Sequence, residues 1–208
     1  VGSIVAVSDY ASTAASNNIT IEPNGSEKIN GVNDGYVIET AGLAVTLVYA
    51  DATKGWKSVT GSDADATGRV PAFVTATGGA TPAGVIVCTN YKVHTFTGPG
   101  TFCVSDGGNS CGSNSVDYMV IAGGASAGGD SGAGGGAGGY RESPGTASGC
   151  YTVSPLGAAP AAAIVVSVQG YPIVVGGGGA ASPPGGGSCT TRGSQGDTST
   201  FSTISSAG

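Results

Sequence analysis

Two long stretches of this sequence have almost no bulky side chains. Residues 123–139 are nearly all Gly, Ala and Ser, and residues 176–187 repeat this pattern with two prolines. Glycine supplies 40 of the 208 residues, yet it does not fall at every third position as collagen requires. A fold for this chain must therefore either leave these tracts as linkers or pack backbone directly against backbone.

The glycine tracts have two physical interpretations. Gly/Ser segments are normally flexible linkers, but these tracts alternate with apolar runs and carry almost no charge. Glycine chains also form extended helices with three residues per turn, and these can hydrogen-bond side by side because no Cβ keeps the backbones apart. The alternation with apolar runs favours ordered, packed tracts of this polyglycine II type over disorder.

The composition excludes several classes of protein. Seven Lys and Arg residues leave no basic patch for nucleic acid. No apolar run approaches the roughly 18 residues of a membrane helix, so we predict no membrane insertion. Charged residues make up 10% and apolar residues 39% of the chain, which does not describe a self-repelling coil. This balance is typical of an extracellular or particle-borne structural protein.

Short runs of β-branched and aromatic residues predict an all-β fold. The run 43–49 is apolar on both faces: Leu43, Val45, Leu47 and Tyr49 share one, and Ala44, Thr46 and Val48 share the other. Such a strand is covered on both sides, by its own domain or by another chain. Because residues 1–61 hold few large side chains, we expect copies of the chain to supply the missing surface. The candidate interface core is Leu43, Val45, Leu47, Tyr49 and Trp56.

Three segments follow one another along the chain. We predict a β-rich module at residues 1–61 that associates with copies of the chain, a connector at residues 62–90 and a glycine-rich domain at residues 91–208; the resemblance described below implies that the first is a trimerisation module and that the last is distal. In the first segment, the runs 36–39 and 43–49 flank Ala41-Gly42, which predicts a hairpin. In the boundary string, Asp63 and Asp65 alternate as in some calcium loops, but the other ligands are missing, so a solvated loop is favoured.

No motif predicts catalysis. The string Gly129-Asp130-Ser131-Gly132 resembles the nucleophile string of serine proteases, but that chemistry needs a histidine base held by a carboxylate. The only histidine, His94, lies in an alternating strand-like run. We therefore assign no catalytic, cofactor-binding or metal-binding residue, and we predict that the chain is not an enzyme and needs no cofactor.

The five cysteines leave at least one thiol unpaired within the chain or bonded to another chain. Cys103 and Cys111 flank a turn-rich loop at 105–110. A local disulfide closing a hairpin and two buried free thiols are the two interpretations of this pair.

Several strings resemble modules that recur in tail fibres and virion appendages of bacteriophages, notably phages of marine cyanobacteria. These strings occupy 24–31, 41–49, 52–56, 71–79, 91–97, 116–124, 134–141, 193–196 and 199–201. The similarity extends from about residue 17 to the end of the sequence.

The resemblance implies a homotrimeric virion fibre, with a β-rich shaft of three intertwined chains and a distal glycine-rich domain that binds a host-cell receptor. It also implies contacts with other tail or baseplate proteins. In a related adhesin class, glycine-rich motifs form packed polyglycine II helices. The candidate receptor contacts are Tyr118, Tyr140, Arg141 and Tyr151. A purely structural virion decoration and a cellular surface filament or adhesin are the alternatives.

Overall fold

The chain contains strands, turns and extended segments. The computed structural model describes residues 2–59, 65–129, 132–145, 152, 155, 161–182 and 192–208. Within these ranges there is no helix, so none that could cross a bilayer, and the predicted all-β class is confirmed.

Two compact units make up the chain. The first comprises Val1–Phe73 and Asn109–Ser113, and the second comprises Val74–Gly108 and Asn114–Gly208. The predicted boundaries at residues 61 and 90 differ from this division, because the predicted connector 62–90 contributes residues to both units.

The described strands of the first unit form two antiparallel sheets. They are β1 (Ile4–Ser8), β2 (Ile19–Ile21), β3 (Tyr36–Ile38), β4 (Ala44–Asp51) and β5 (Gly55–Ser58). One sheet has the order β1-β4-β5, and the other pairs β2 with β3. The predicted hairpin between 36–39 and 43–49 is wrong, because β3 and β4 belong to different sheets.

The carboxylate of Asp9 explains why β4 turns toward β1. Its Oδ2 accepts hydrogen bonds from the N–H groups of Ala14 and Gly42, each at 2.9 Å, and these bonds lower the pKa of Asp9. Gly42 has φ +73°, a conformation that glycine adopts without strain. The buried carboxylate thus holds the turn before β4 beside the segment that follows β1.

One face of β4 forms the core of the first unit. Val45 and Leu47 are 1% and 2% exposed, and the side chains that bury them are Ala14, Ile29, Tyr36 and Ile38. Leu43 and Trp56 pack at the margin of this cluster, and Trp56 meets Tyr49 edge-to-face at 5.5 Å. Val45 and Leu47, which the sequence assigned to an interface between copies, are therefore core residues of a single copy. Leu43, Tyr49 and Trp56 are only partly buried, and an interface role for them stays a prediction.

The segment Asn109–Ser113 belongs to the first unit through its contacts with residues 70–73. The side-chain oxygen of Asn109 accepts the N–H of Ala72 at 3.1 Å, and its amide nitrogen donates to the carbonyl of Val70 at 2.8 Å. Gly112 lies so close to Ala72 that an added Cβ would be 2.0 Å from the Ala72 carbonyl oxygen. One asparagine and one glycine thus position this segment.

The predicted Cys103–Cys111 disulfide is wrong, because both cysteines are free. Cys103 lies within a strand of the second unit that continues to Gly107, whereas Cys111 belongs to the first unit. There its thiol donates a hydrogen bond to Asp65 Oδ2 at 2.6 Å. Cys88 is disulfide-bonded, and Cys150 and Cys189 lie outside the described residues.

The second unit is built around a five-stranded antiparallel sheet. Its described strands are β6 (Val74–Thr77), β7 (Val85–Val87), β8 (Tyr91–Val93), β9 (Gly100–Gly107), β10 (Ser115–Val116), β11 (Met119–Ile121), β12 (Tyr140–Glu142), β13 (Ile164–Val165), β14 (Gly170–Val174), β15 (Ser199–Phe201) and β16 (Ile204–Ser206). The large sheet has the order β16-β15-β14-β9-β6, and β7-β8, β10-β13 and β11-β12 form separate pairs.

Aromatic side chains form the centre of the second core. The ring of Phe201 meets those of Phe102 and Tyr171 edge-to-face, with centroids 6.0 and 6.2 Å apart. Val104 and Val120 are buried in the same cluster. This core anchors strands that lead directly into the glycine tracts.

We predict that acid destabilises the first unit through Asp65. Partial burial raises the pKa of this carboxyl, but hydrogen bonds from the Cys111 thiol, from Thr67 and from the Arg69 amide outweigh that effect and lower it to about 2. The unfolded value is about 4. A depressed folded pKa stabilises the fold above the unfolded value, and this stabilisation is lost as the pH falls from about 4 through 2.

Carboxyl NMR titration together with melting temperatures measured against pH checks this prediction. Cys111→Ala removes the thiol donor, so it should raise the pKa of Asp65 and move the acid transition to higher pH. Cys111→Ser keeps a donor and serves as the matched control. An Asp65 pKa that is the same in Cys111→Ala and in the wild-type chain would contradict the prediction.

Candidate functional site: the glycine bundle

Four extended segments of the second unit continue strands of its sheets. β11 leads into tract 1 (122–129), and tract 2 (132–139) leads into β12. β14 leads into tract 3 (175–182), and tract 4 (192–198) leads into β15. We call these four tracts the glycine bundle. Each is anchored at one end by a strand.

Tract 1 makes hydrogen bonds in three directions, and the direction changes with each residue. Every third residue donates its N–H to tract 2. These donors are Ala122, Ala125 and Gly128, at distances of 2.9, 2.9 and 3.2 Å. The next residues in order, Gly123 and Ser126, donate to Asp197 and Ser194 of tract 4 at 3.0 and 2.9 Å. The carbonyls that follow, of Gly124 and Ala127, accept from Gly179 N–H and Ser182 Oγ of tract 3 at 2.9 and 3.1 Å.

The bonding partners also define the tract directions. Tract 1 is antiparallel to tracts 2 and 4, because the residue numbers of its bonding partners in those tracts decrease as the residue numbers of tract 1 increase. It runs parallel to tract 3, because the residue numbers of its partners in that tract increase together with its own. The direction of the hydrogen bonds of tract 1 therefore repeats every three residues.

Glycine is required where one tract faces another. A Cβ added to Gly135 would lie 2.0 Å from the carbonyl oxygen of Ala125, and one on Gly138 would lie 2.2 Å from that of Ala122. The residue between them, Gly136, faces open space, as does Gly134. None of the described tract glycines has a left-handed φ. Close backbone approach, rather than an unusual conformation, therefore explains the need for glycine.

Both pairs of tract ends lie at one end of the bundle, which we call the tip. Gly128 donates to Ala133 at 3.2 Å, where tract 1 ends and tract 2 begins. Ser182 Oγ, at the end of tract 3, reaches both Ala127 O and Arg192 O at 3.1 and 3.3 Å. The strands β11, β12, β14 and β15 join the tracts at the opposite end. The tip is thus the part of the described bundle farthest from the strand scaffold.

The described tracts carry few charged side chains. The only charged residues of the four tracts are Arg192 at the tip and Asp197 near the strands. Throughout the described residues, no three His, Cys, Asp or Glu side chains converge as metal ligands would. His94 packs its ring edge-to-face on Phe102 at 5.3 Å, and its Nδ1 is hydrogen-bonded to Gly78 O at 2.9 Å. Residues 130 and 131 of the protease-like string lie outside the described part.

The candidate receptor contacts do not form one surface. Tyr118 is half-buried against the second core, and its N–H donates to Ser143 Oγ at 3.0 Å. Tyr140 and Arg141 are exposed on β12 at the strand end of the bundle, and as neighbours in a strand they point to opposite faces. Tyr151 lies outside the described residues. The contact role of these residues stays a prediction.

Sequence reasoning missed the phase of the tracts and the position of the tip. The glycines that meet a neighbouring backbone most closely recur at every third residue, as in Gly132, Gly135 and Gly138 or in Gly193 and Gly196. The alanines of tract 2, Ala133 and Ala137, lie at other positions than Gly132, Gly135 and Gly138. This three-residue phase is a readable signal, but long runs of consecutive glycine conceal it.

Comparisons with known proteins identify no relative. No protein-family model matches the chain, and searches of curated proteins and of solved structures also find no match. The resemblance to phage fibres therefore rests on the sequence strings alone.

We predict that two adjacent glycines of tract 2 respond oppositely to alanine. Gly135→Ala should destabilise the second unit by about 1–3 kcal/mol, because the Cβ forces tracts 1 and 2 apart. Gly134→Ala places its methyl group in open space, and it should be neutral or stabilise by up to about 1 kcal/mol by restricting the unfolded chain. Chemical denaturation followed by Tyr and Phe signals of the second core measures both changes. Equal destabilisation by the two variants would contradict the packing described.

Proposed function

We propose that this chain is an adhesive subunit of an extracellular fibre, of the kind that bacteriophages carry, and that the glycine bundle presents its tip to the surface of a host cell. The observation that supports the proposal is that the free ends of all four tracts lie together at one end of a strand-anchored bundle. The residues at these ends are Gly129 and Gly132, and Ser182 and Arg192.

The bundle is suited to holding short loops away from a scaffold. At about 3.1 Å per residue, tract 1 would extend roughly 25 Å beyond β11. Lateral hydrogen bonds to three other tracts restrain it along this length. Binding segments on a rigid support lose less conformational freedom on contact than the same segments on a flexible linker. The bundle therefore supports recognition through its connections.

The chemistry of the tip fits weak, repeated contacts. Backbone amides, serine hydroxyls and the Arg192 guanidinium hydrogen-bond to neutral or acidic surface groups. Several fibres on one particle multiply such contacts into avidity without a strong single site. The homotrimeric state, the attachment to tail or baseplate proteins and the virion location are parts of the same proposal, and they rest on the resemblance of the sequence strings.

Adsorption to cells tests the proposed function. Labelled 208-residue protein is mixed with cells of marine cyanobacterial strains, and bound protein and protection from phage infection are measured. We predict that the wild-type chain adsorbs to at least one strain. A short hydrophilic peptide inserted between Gly185 and Gly186, or the charge reversal Arg192→Glu, should reduce adsorption at least about tenfold.

Variants at the strand end of the bundle provide the control. Tyr140→Ala and Arg141→Ala leave the tip unchanged, so they should adsorb as the wild-type chain does. Loss of adsorption in these two variants alone would move the contact surface to β12. Failure of the wild-type chain to adsorb to any strain at high concentration would overturn the adhesive role and favour a purely structural decoration.

A further inference from the structure

The chain contains two Asn-Gly dipeptides, Asn24-Gly25 and Asn30-Gly31, and both lie in the first unit. In such a pair the glycine nitrogen can attack the side-chain amide of the asparagine, because glycine has no Cβ to block the approach. Asparagine is one of the thermolabile residues of proteins. The attack requires that the nitrogen and the amide carbon be free to approach each other. The surroundings of the two pairs therefore decide which of them reacts.

The first pair lies in an exposed turn. Asn24, Gly25 and Ser26 are exposed, and Gly25 has φ +60° with nothing within 4 Å of an added Cβ. Glu27 N–H donates to Asn24 O at 3.0 Å, and Asn33 Nδ2 donates to Gly25 O at 3.0 Å. Both bonds end on backbone oxygens. Within the described residues, no hydrogen bond holds the Asn24 side chain or the Gly25 N–H.

The second pair has the same two residue types, but hydrogen bonds hold both of its reacting groups. The side-chain oxygen of Asn30 accepts the N–H of Ser58 at 3.0 Å. Its amide nitrogen donates to Ser58 Oγ at 3.0 Å and to Ala66 O at 3.3 Å. Gly31 N–H donates to Lys54 O at 2.8 Å. The attacking nitrogen and the amide that it would attack are thus bound to different partners, and both must be released before they react.

We propose that Asn24 is a site of spontaneous deamidation and that the fold protects Asn30 from the same reaction. Gly25 N forms a bond to Cγ of Asn24, the Cγ–Nδ2 bond breaks, and the Gly25 amide proton leaves with the side-chain nitrogen as ammonia. Water then opens the resulting succinimide ring at either of its carbonyl groups, which gives an aspartate or an isoaspartate at position 24. The only co-reactant is water, and no oxidant or reductant takes part.

Either product changes the chemistry of the turn. The new carboxylate adds one negative charge, so the formal net charge of the chain goes from −6 to −7. An isoaspartate also lengthens the main chain by a methylene group where the turn begins. The same turn ends at Glu27, whose Oε2 accepts Trp56 Nε1–H at 3.1 Å. This modification does not depend on what the glycine bundle binds or on how many copies of the chain associate.

Mass spectrometry of the full 208-residue chain, aged in mildly alkaline buffer, tests the proposal. Trypsin cleaves after Lys28 and Lys54, so peptides 1–28 and 29–54 report on Asn24 and Asn30 separately. Each deamidation replaces an amide NH₂ by OH and gives a small gain in mass. In the folded chain, peptide 1–28 should gain this mass at least about tenfold faster than peptide 29–54, because the release of Asn30 requires local opening. In denaturant, the two rates should agree to within about threefold, because the protecting structure is lost.

Matched glutamine variants assign the reaction to Asn24. Asn24→Gln should abolish the mass gain of peptide 1–28, because glutamine would have to close a larger ring. Asn18→Gln changes another exposed asparagine of the same peptide, which precedes the β-branched Ile19, and it should leave the gain unchanged.

Three results would overturn the proposal. They are equal rates at the two pairs in the folded chain, a rate difference of the same size in denaturant, and a mass gain of peptide 1–28 that persists in Asn24→Gln. The first two use the wild-type chain alone, so the test does not depend on the folding of a variant.

Discussion

Hydrogen bonding between backbones that have no side chains between them is the interaction on which the glycine bundle depends. Bare chains bury little apolar surface, so the hydrophobic effect does not hold the tracts together. Ordering glycine also costs more conformational entropy than ordering any other residue. The tracts compensate by bonding to several neighbours at once and by continuing from strands that the aromatic core of Phe102, Tyr171 and Phe201 already fixes. This dependence explains why tracts and strands alternate along the chain.

The two units solve the shortage of bulky side chains differently. The first unit uses a conventional core around Val45 and Leu47, closed by loops that Asp9 and Asn109 hold through their side chains. The second unit collects its large side chains in one core around the sheet and builds the bundle mostly from backbone. Such a surface exposes few charges and few ionisable groups.

Local patterns predicted the strands well, and their partners poorly. The alternation over 43–49 identified β4 and the face that contains Val45 and Leu47, but not that Ala14 and Ile29 cover it, because those residues lie in segments without periodicity. The chain does turn at Ala41-Gly42, but the hairpin prediction failed because β3 pairs with β2 while β4 pairs with β1 and β5, and these partners are not encoded in the local pattern. The cysteine spacing was uninformative because residues 109–113 leave the second unit for the first. The directions of the tracts and their hydrogen-bond partners could not be predicted from the sequence, because consecutive glycines do not distinguish one neighbour from another.

The three-residue repeat of tract 1 restricts how the bundle can change in length. Adding or deleting a single residue turns every later residue of that tract by a third of a revolution. Glycines would then turn away from the neighbouring backbones, and alanine methyl groups would turn toward those backbones. Changes of three residues preserve the phase and lengthen or shorten the bundle by one step. Residues outside the tracts are not subject to this three-residue constraint. Diversity in a lineage of such proteins should therefore accumulate in the connections, while the tracts grow or shrink in triplets.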